Sequence, residues 1–440
     1  MDQEVPDELC VWGLGLIGYT LAGELCRTGR RCLVVDIDPQ RVALLNRGEI
    51  PFSHLPDLLQ RYDEEVRRGL LRATSVPEDA LTPEHTVHLL CIPTEADGAI
   101  DSSALRSVIT ALATGSSARP LFVIIESTIA PEWLDSLLHP LFAAAGMTHG
   151  VDYHVGASPR RDWLIDHQRT MASIPKIIGG GSPEVISLMR DLYSPICAEV
   201  IEAPDARHAA MVKVVENYFR YRSILAASEL GIMLPDYDVA EILRLASSKW
   251  TMNLYHPSFG IGGYCVPLAK DYLGTEPGAR EVTLELGRIE EATYSRIRQE
   301  LSKHGPLEKV AVLGISYMPG MKIHTRSPSL RLIQELKEHG AEVYVHDPLY
   351  SPEEVVQKTG GKALNFPLDL AHCDSVILMV GHACYRAIGH PQLLKTLRTS
   401  ARIFDNLGIW SGRDFAGDFQ YVEVGGAGYF TGDTGPARHA

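Results

Sequence analysis

The chain has no Cys-x-x-Cys pair, no long uninterrupted apolar run and no excess of positive charge. Its eight cysteines, at positions 10, 26, 32, 91, 197, 265, 373 and 384, are scattered. That spacing argues against a disulfide framework or a zinc site and for reduced thiols, so no metal is expected. Cys10, Cys32 and Cys91 fall in or beside predicted strands and read as small packing residues. No apolar stretch follows the acidic start Met-Asp-Gln-Glu-Val-Pro, so neither a signal peptide nor a membrane span is expected, and the expected compartment is the cytoplasm. A formal net charge of -14 argues against a nucleic-acid partner and requires any phosphate-bearing ligand to be held by a local basic patch. The residues present, 45% hydrophobic and 22% charged over 440 positions, describe a globular protein too long for one core, and two or three domains are expected.

The chain opens on a short apolar run, Leu9 to Trp12, followed by Gly13-Leu-Gly15-Leu16-Ile17-Gly18, a helical stretch to Arg27, Gly29 and a strand closing at Asp36. In such a strand, turn and helix, Gly13 allows a tight bend, Gly15 allows backbone to approach a pyrophosphate, and Gly18 lets helix and strand pack. The helix that Leu16 and Ile17 begin turns its N-terminus to the phosphates. Asp36 stands about 20 residues on, where a carboxylate accepts from a ribose hydroxyl and repels a 2′-phosphate, which favours NAD over NADP. Apolar segments at Val87 to Ile92 and Leu121 to Ile125 alternate with helical patterns, so residues 1–202 read as a doubly wound, Rossmann-like parallel sheet that binds NAD. Residues 203–304 carry two long helical patterns and read as a central helical domain. From 305 to 440 the α/β alternation resumes with Lys309-Val-Ala-Val-Leu, giving a second Rossmann-like domain. The two ends echo each other: Glu24-Leu25, Gly29 and Asp36 recur at the same offsets as Glu335-Leu336, Gly340 and Asp347. Between Gly314 and the second helix lie some ten extra residues with Lys322, His324 and Arg326, so the second unit is expected to bind something other than a dinucleotide. The tail after Tyr429 reads as frayed.

Thr94 follows one strand and Ser127-Thr128 another, placing small hydroxyls at strand ends where ligands of open sheets sit. Ser127 or Thr128 reads equally well as a helix cap before Pro131. On the central helix, Lys213, Asn217 and Arg220 fall at i, i+4 and i+7, so one face carries an ammonium, an amide and a guanidinium suited to an oxyanion or a phosphate. Val212, Val215 and Phe219 offer an alternative apolar face. In Phe259-Gly260-Ile-Gly262-Gly-Tyr-Cys265-Val-Pro, a thiol follows three glycines in five residues, and glycine permits close backbone approach to a ligand. Tyr255, Phe259, Gly260 and Gly262 are candidates for substrate contact. Lys270-Asp271 follows closely enough to share the thiol's pocket, where a cation favours the reactive thiolate and Asp271 orients or deprotonates water. The same pair also suits the start of the next helix. A nucleophilic sulfur beside a hydride acceptor suggests oxidation through a covalent intermediate.

Taken in order, the glycine turn, Ile92-Pro-Thr94, Glu126-Ser-Thr128, Ser158-Pro159, Lys213 with Asn217, Gly262-Gly-Tyr-Cys265, Thr325-Arg-Ser-Pro328 and His346-Asp-Pro348 resemble the UDP-glucose/GDP-mannose dehydrogenase family from about Leu9 to Trp410. The resemblance implies an NAD domain, a helical middle that dimerises and a C-terminal domain that holds the nucleotide of a UDP-sugar. It implies a four-electron oxidation of the sugar C6 alcohol to a uronate, with Cys265 as nucleophile, Lys213 and Asn217 on the oxyanion, Asp271 assisting the base chemistry and Arg326 reaching the site or nucleotide. Val215-Glu-Asn217-Tyr-Phe-Arg220 and Cys265-Val-Pro267 are similar to the branch acting on UDP-N-acetylhexosamines. The chain departs from the family pattern in four places. Arg160 stands where the family has a glutamate, and Asp162 is the nearest carboxylate. Tyr264 stands where the hexosamine branch has His, Lys270-Asp271 is spaced differently, and Tyr317-Met318 replaces Phe-Lys. Arg160 and Arg161 are candidates to bind a substrate carboxylate or phosphate. Other readings remain: a UDP-glucose 6-dehydrogenase, a two-electron sugar or hydroxyacid dehydrogenase with Lys213 as base, and a non-catalytic nucleotide-sugar binder.

Overall fold

The computed structural model describes residues 8–52, 59–162, 169–398, 401–410, 419–426 and 428–430. The acidic start and, of the tail predicted to fray, everything beyond Phe430 lie outside the described residues. Contacts divide the chain into two compact units, one of Met1–Glu216 with Lys270–Arg280, the other of Asn217–Ala269 with Glu281–Ala440. The central segment expected as a separate domain is thus shared between the two.

The first unit is built on β1 (Glu8–Trp12), β2 (Arg31–Val35), β3 (Leu71–Thr74), β4 (Val87–Leu90), a small hairpin of β5 (Glu95–Ala96) and β6 (Ala99–Ile100), β7 (Leu121–Ile125), β8 (Tyr153–Ala157), β9 (Lys176–Gly180) and β10 (Val200–Glu202). Apart from the hairpin these form one sheet in the order β10-β9-β8-β7-β4-β1-β2-β3. From β3 to β8 in that order every pairing is parallel. β9 runs antiparallel to β8, a departure from the all-parallel expectation. β1, β4 and β7 are buried on both faces, which is why they read as continuous apolar runs. The core beneath them joins Leu90, Val123 and Ile125 to Leu105, Leu112 and Phe142.

The second unit contains β11 (Lys309–Leu313), β12 (Glu342–His346), β13 (Lys362–Ala363), β14 (Ser375–Leu378), β15 (Arg402–Asp405) and β16 (Gln420–Glu423), in the order β13-β12-β11-β14-β15-β16 and all parallel. The helix Arg280–Glu300 packs on it through Leu286, Tyr294 and Ile297. The helix Pro328–Glu338 starts where Ser327 accepts the Ser329 N–H and proline fills the first turn. The predicted long central helix spans Ala206–Met233 and runs from one unit into the other. Among the described residues no helix is long and apolar enough to cross a membrane.

Candidate active site

The strand order reverses at β1 and β4, and a ligand of an open sheet binds beyond the carboxyl ends of such strands. The three glycines after β1 have separate causes. Gly13 has φ +98°, and a Cβ there would meet the Cys91 carbonyl oxygen at 2.4 Å. A Cβ on Gly18 would lie 1.9 Å from the Gly13 oxygen, so this glycine closes the turn. A Cβ on Gly15 would meet nothing within 4 Å. Gly15 is the N-cap of the helix Leu16–Arg27 and supplies no side chain to it, so the first amides of Leu16 and Ile17 border open space. Asp36 follows β2 half-buried; its Oδ2 accepts from the Leu14 N–H at 2.5 Å and its Oδ1 from the Asp38 N–H at 2.8 Å. A carboxylate has about four lone-pair sites, so capacity remains for a ribose hydroxyl. An open cradle at a helix N-terminus and a carboxylate one strand away fit a dinucleotide.

Thr94 and Ser127 direct their hydroxyl protons into the protein. Thr94 is buried and donates to the Thr128 carbonyl at 2.6 Å, and Ser127 donates to the Ile92 carbonyl at 2.6 Å. These bonds brace the ends of β4 and β7, and neither Ser127 nor Thr128 caps a helix. Beneath them Glu126 is fully buried. Its carboxylate takes the Lys176 ammonium at 2.7 Å and the Tyr193 hydroxyl, while Lys176 also donates to the Ser158 carbonyl at 2.7 Å.

Arg160 and Arg161, expected on a substrate anion, are both paired internally. Arg160 is buried and grips Asp162 with two hydrogen bonds of 2.6 Å. Its remaining nitrogen reaches the Thr20 hydroxyl at 3.2 Å and the Ile17 carbonyl at 3.4 Å, on the first helix. Burial opposes both charges, yet the pairing prevails: Asp162 is held below the usual carboxylate range and Arg160 above its ordinary value. Arg161 bonds Glu216 and the Pro175 carbonyl.

In the second unit Cys265 lies exposed at the end of its glycine loop. Gly260, Gly262 and Gly263 are small for a reason the sequence did not disclose. A Cβ on Gly262 would lie 2.8 Å from the Tyr317 Cβ, and one on Gly263, at φ +87°, 2.8 Å from the Tyr317 ring. A Cβ on Gly260 would lie 3.1 Å from Pro328. The glycines let this loop lie against the insertion after β11, and the Gly263 N–H donates to the Thr325 carbonyl at 3.1 Å. The Thr325 hydroxyl donates to the Tyr264 hydroxyl at 3.1 Å. Burial chiefly, then the nearby Cys265 and Tyr264, push the Tyr317 hydroxyl up to about 12 against the pull of Arg220. Cys265, Tyr264, Tyr317 and Arg220 therefore form one cluster. Arg326, exposed at φ +49°, stands in the same insertion.

Phe259, expected to touch substrate, is instead fully buried against Tyr429 and belongs to the core. Its N–H donates to Asn406 at 2.9 Å, and its carbonyl accepts from the buried Arg298 at 3.3 Å, so the loop starts from a fixed base. Tyr255 packs against the small cluster of Ala227, Val239 and Leu243. On the helix Ala206–Met233 Lys213 is half-buried, Asn217 buried and Arg220 exposed, while Val215 and Phe219 are exposed rather than packed. Lys270 and Asp271 sit in the short helix Ala269–Leu273, 3.2 Å apart, in the helical alternative that the sequence left open. Asn406 and Arg298, which fix the base of the loop, carry no sequence signal.

Three domain models of the UDP-glucose/GDP-mannose dehydrogenase family match the chain: the NAD binding domain over residues 7–197, the central domain over 207–293 and the UDP binding domain over 311–412. The UDP-N-acetyl-D-mannosamine dehydrogenase of Pyrococcus horikoshii is 26% identical over 408 residues, covering 89% of this chain and 93% of that protein. The UDP-N-acetyl-D-glucosamine 6-dehydrogenase of Salmonella typhi is 26% identical over 403 residues, covering 87% and 91%. The fold matches the solved structure of the UDP-D-ManNAc dehydrogenase from Pyrococcus horikoshii with a TM-score of 0.80 at 24% identity, over 95% of this chain and 99% of that one. Cofactor cradle, second nucleotide-type sheet and these likenesses define an NAD-dependent nucleotide-sugar dehydrogenase, an oxidoreductase. The chain belongs to the UDP-glucose/GDP-mannose dehydrogenase family. Its N-terminal unit carries the family's NAD-binding domain and its C-terminal sheet the UDP-binding domain.

Proposed function

We propose that the protein oxidises the C6 alcohol of a UDP-N-acetylhexosamine to the uronic acid, with Cys265 as covalent nucleophile. The observation that carries this reading is that Cys265 is the one exposed thiol among the eight cysteines. It ends a loop held by Arg298 and Asn406 at its base and by Tyr317 along its length. NAD, when bound, takes up hydride from the substrate carbon. The Cys265 sulfur adds to the aldehyde carbon to give a thiohemiacetal, whose oxygen Lys213 and Asn217 stabilise through an ammonium and an amide one helical turn apart. Loss of a second hydride, to a second NAD, leaves a thioester on Cys265, and water, oriented by Asp271, cleaves it to the carboxylate and returns the thiol. Arg220 and Arg326 bind the anionic part of the substrate. The hexosamine preference is supported by the Glu216-Asn217 and Cys265-Val-Pro267 runs and by relatives named for UDP-N-acetylmannosamine and UDP-N-acetylglucosamine. Self-association belongs to the same reading, supported by the exposed Val215 and Phe219.

One observation favours a second reading. Where the family pattern has a glutamate this chain has Arg160, locked on Asp162, so neither is poised as a base for thioester hydrolysis, and a route that forms no thioester and releases the aldehyde after two electrons is the alternative. Incubating the purified protein with NAD and a panel of UDP- and GDP-sugars, and counting NADH per sugar consumed, tests both. Two NADH per UDP-N-acetylhexosamine is the expected result. One supports the second reading, and none across the panel overturns both.

A further inference from the structure

Between Ala269 and Lys270 the chain leaves the second unit, and it returns after Arg280. The residues from Lys270 to Arg280, close behind Cys265, thus belong to the cofactor-binding unit although both flanks belong to the other. Tyr272 fastens them. It is buried, its ring meets Trp133 edge-on at 6.1 Å, and its hydroxyl lies 2.8 Å from the Thr94 hydroxyl and 3.0 Å from the Thr94 carbonyl. Each hydroxyl has one proton to give. Thr94 gives its own to the Thr128 carbonyl at 2.6 Å, so the Tyr272 proton goes to Thr94, whose hydroxyl and carbonyl both lie within reach. These bonds join the segment of Lys270 and Asp271, through Thr94 and Thr128, to the carboxyl ends of β4 and β7. A further tie, Glu276 to Arg207 at 2.7 Å, is partly exposed on both sides and holds weakly by comparison.

We propose that Tyr272 is a positioning residue for the oxidation: its hydroxyl registers the segment after the nucleophile against the strand ends of the cofactor-binding sheet. Displacements near 1 Å in a reacting assembly cost up to about 100-fold in rate. The proposal rests on the reading of Cys265, Asp271 and NAD as parts of one reaction.

Tyr272→Phe keeps the ring and removes only the hydroxyl. The expected result is a fall in kcat of about tenfold or more, with KM for NAD changed less than about threefold and the melting temperature near that of the wild type. Thr94→Val should act alike, and the double variant should be little worse than either single one, because both break the same chain. An unchanged kcat in Tyr272→Phe, or effects that add in full, overturns the proposal. Hydrogen exchange of the 270–280 peptide and the rate at which iodoacetamide alkylates Cys265 are read alongside, since neither needs turnover. If the wild type turns over no sugar, the functional reading falls; faster exchange and an altered alkylation rate in Tyr272→Phe still support the tether, and unchanged values overturn it.

Discussion

Asp36 and Asp347 hold equivalent positions in the two sheets. Each follows the second strand of its unit and accepts, through Oδ2, the N–H of the residue after a glycine, Leu14 at 2.5 Å and Ile315 at 2.8 Å. Each accepts through Oδ1 the N–H two residues on, Asp38 at 2.8 Å and Leu349 at 3.0 Å. The glycines themselves, Gly13 and Gly314, share φ +98° and donate to the carbonyls of Val35 and His346 at 2.7 Å. The repeat in the sequence is thus a repeat of turn geometry. The surroundings of the two carboxylates differ: Asp347 also takes the Ser316 N–H and hydroxyl and the His382 Nε2 within 3.2 Å and is buried, whereas Asp36 stays half-exposed toward the open cradle. Although burial alone would raise it, the His382 bond and the backbone donors hold Asp347 at about 2.

The two aspartates should therefore fail differently. Asp36→Ala removes the carboxylate expected to hold the ribose, and at about 1.5–3 kcal/mol for a hydrogen bond to a charged group, KM for NAD should rise roughly 10- to 150-fold, with a smaller fall in melting temperature than Asp347→Ala gives. Asp347→Ala strands buried donors and should lower stability by about 2–4 kcal/mol while the NADH dissociation constant, read by fluorescence, stays within about twofold.

Acid should unfold the protein in part through His88. This imidazole is fully buried, with Nδ1 accepting from Trp12 Nε1 at 3.1 Å and Nε2 facing the His85 carbonyl at 3.1 Å. Burial, beyond what the His85 bond restores, pushes it down to about 3. A depressed value means that the unfolded chain binds the proton first, so stability is whole above about pH 6.5 and is lost as pH falls toward 3. One such group contributes a slope of up to about 1.4 kcal/mol per pH unit. Denaturant midpoints measured from neutral pH down into the acid range should show the loss, and His88→Gln should make the decline shallower; an unchanged slope refutes the assignment.

The cofactor half of this protein is legible in the sequence because its signals are local: the glycines, the helix they open and Asp36 lie within one β-α-β stretch. The Cys265 loop is legible as a motif but not in its cause. Its glycines look like room for a ligand, and the structure gives them to Tyr317 and Pro328, residues in and just after the insertion that follows β11, far along the chain. Phe259 reads as a lining residue from its neighbours and proves to be core for the same reason. Tyr272 bonds a threonine 178 positions away, and no periodicity or spacing reports a contact of that separation. Arg160 shows the converse error, for an arginine beside a motif suggests a ligand until a carboxylate two residues on is seen to occupy it.

That pairing makes a stability prediction. Arg160→Met leaves the Asp162 carboxylate buried and unpaired and should lower stability by about 3–5 kcal/mol, with most of the loss recovered when Asp162 is also replaced by leucine. KM for the sugar in whatever folded protein remains should change by less than about threefold. A large rise in KM with an unchanged melting temperature would return Arg160 to the substrate.

Exposure and chemistry at Cys265 can be separated from the other thiols. Iodoacetamide should label Cys265 ahead of the rest, of which Cys10, Cys26, Cys32, Cys91 and Cys373 are buried and Cys197 and Cys384 half-buried. Cys265→Ser leaves the loop's packing on Tyr317 intact, since those contacts are made by Gly262 and Gly263. A neutral hydroxyl captures aldehyde poorly without a thiolate's nucleophilicity. Uronate formation should fall roughly 1000-fold, about 4 kcal/mol of barrier at about 1.36 kcal/mol per tenfold, while the first hydride transfer, read as rapid NADH formation in a single turnover, persists. Uronate production by the serine variant at a rate near the wild type would remove the sulfur from the mechanism.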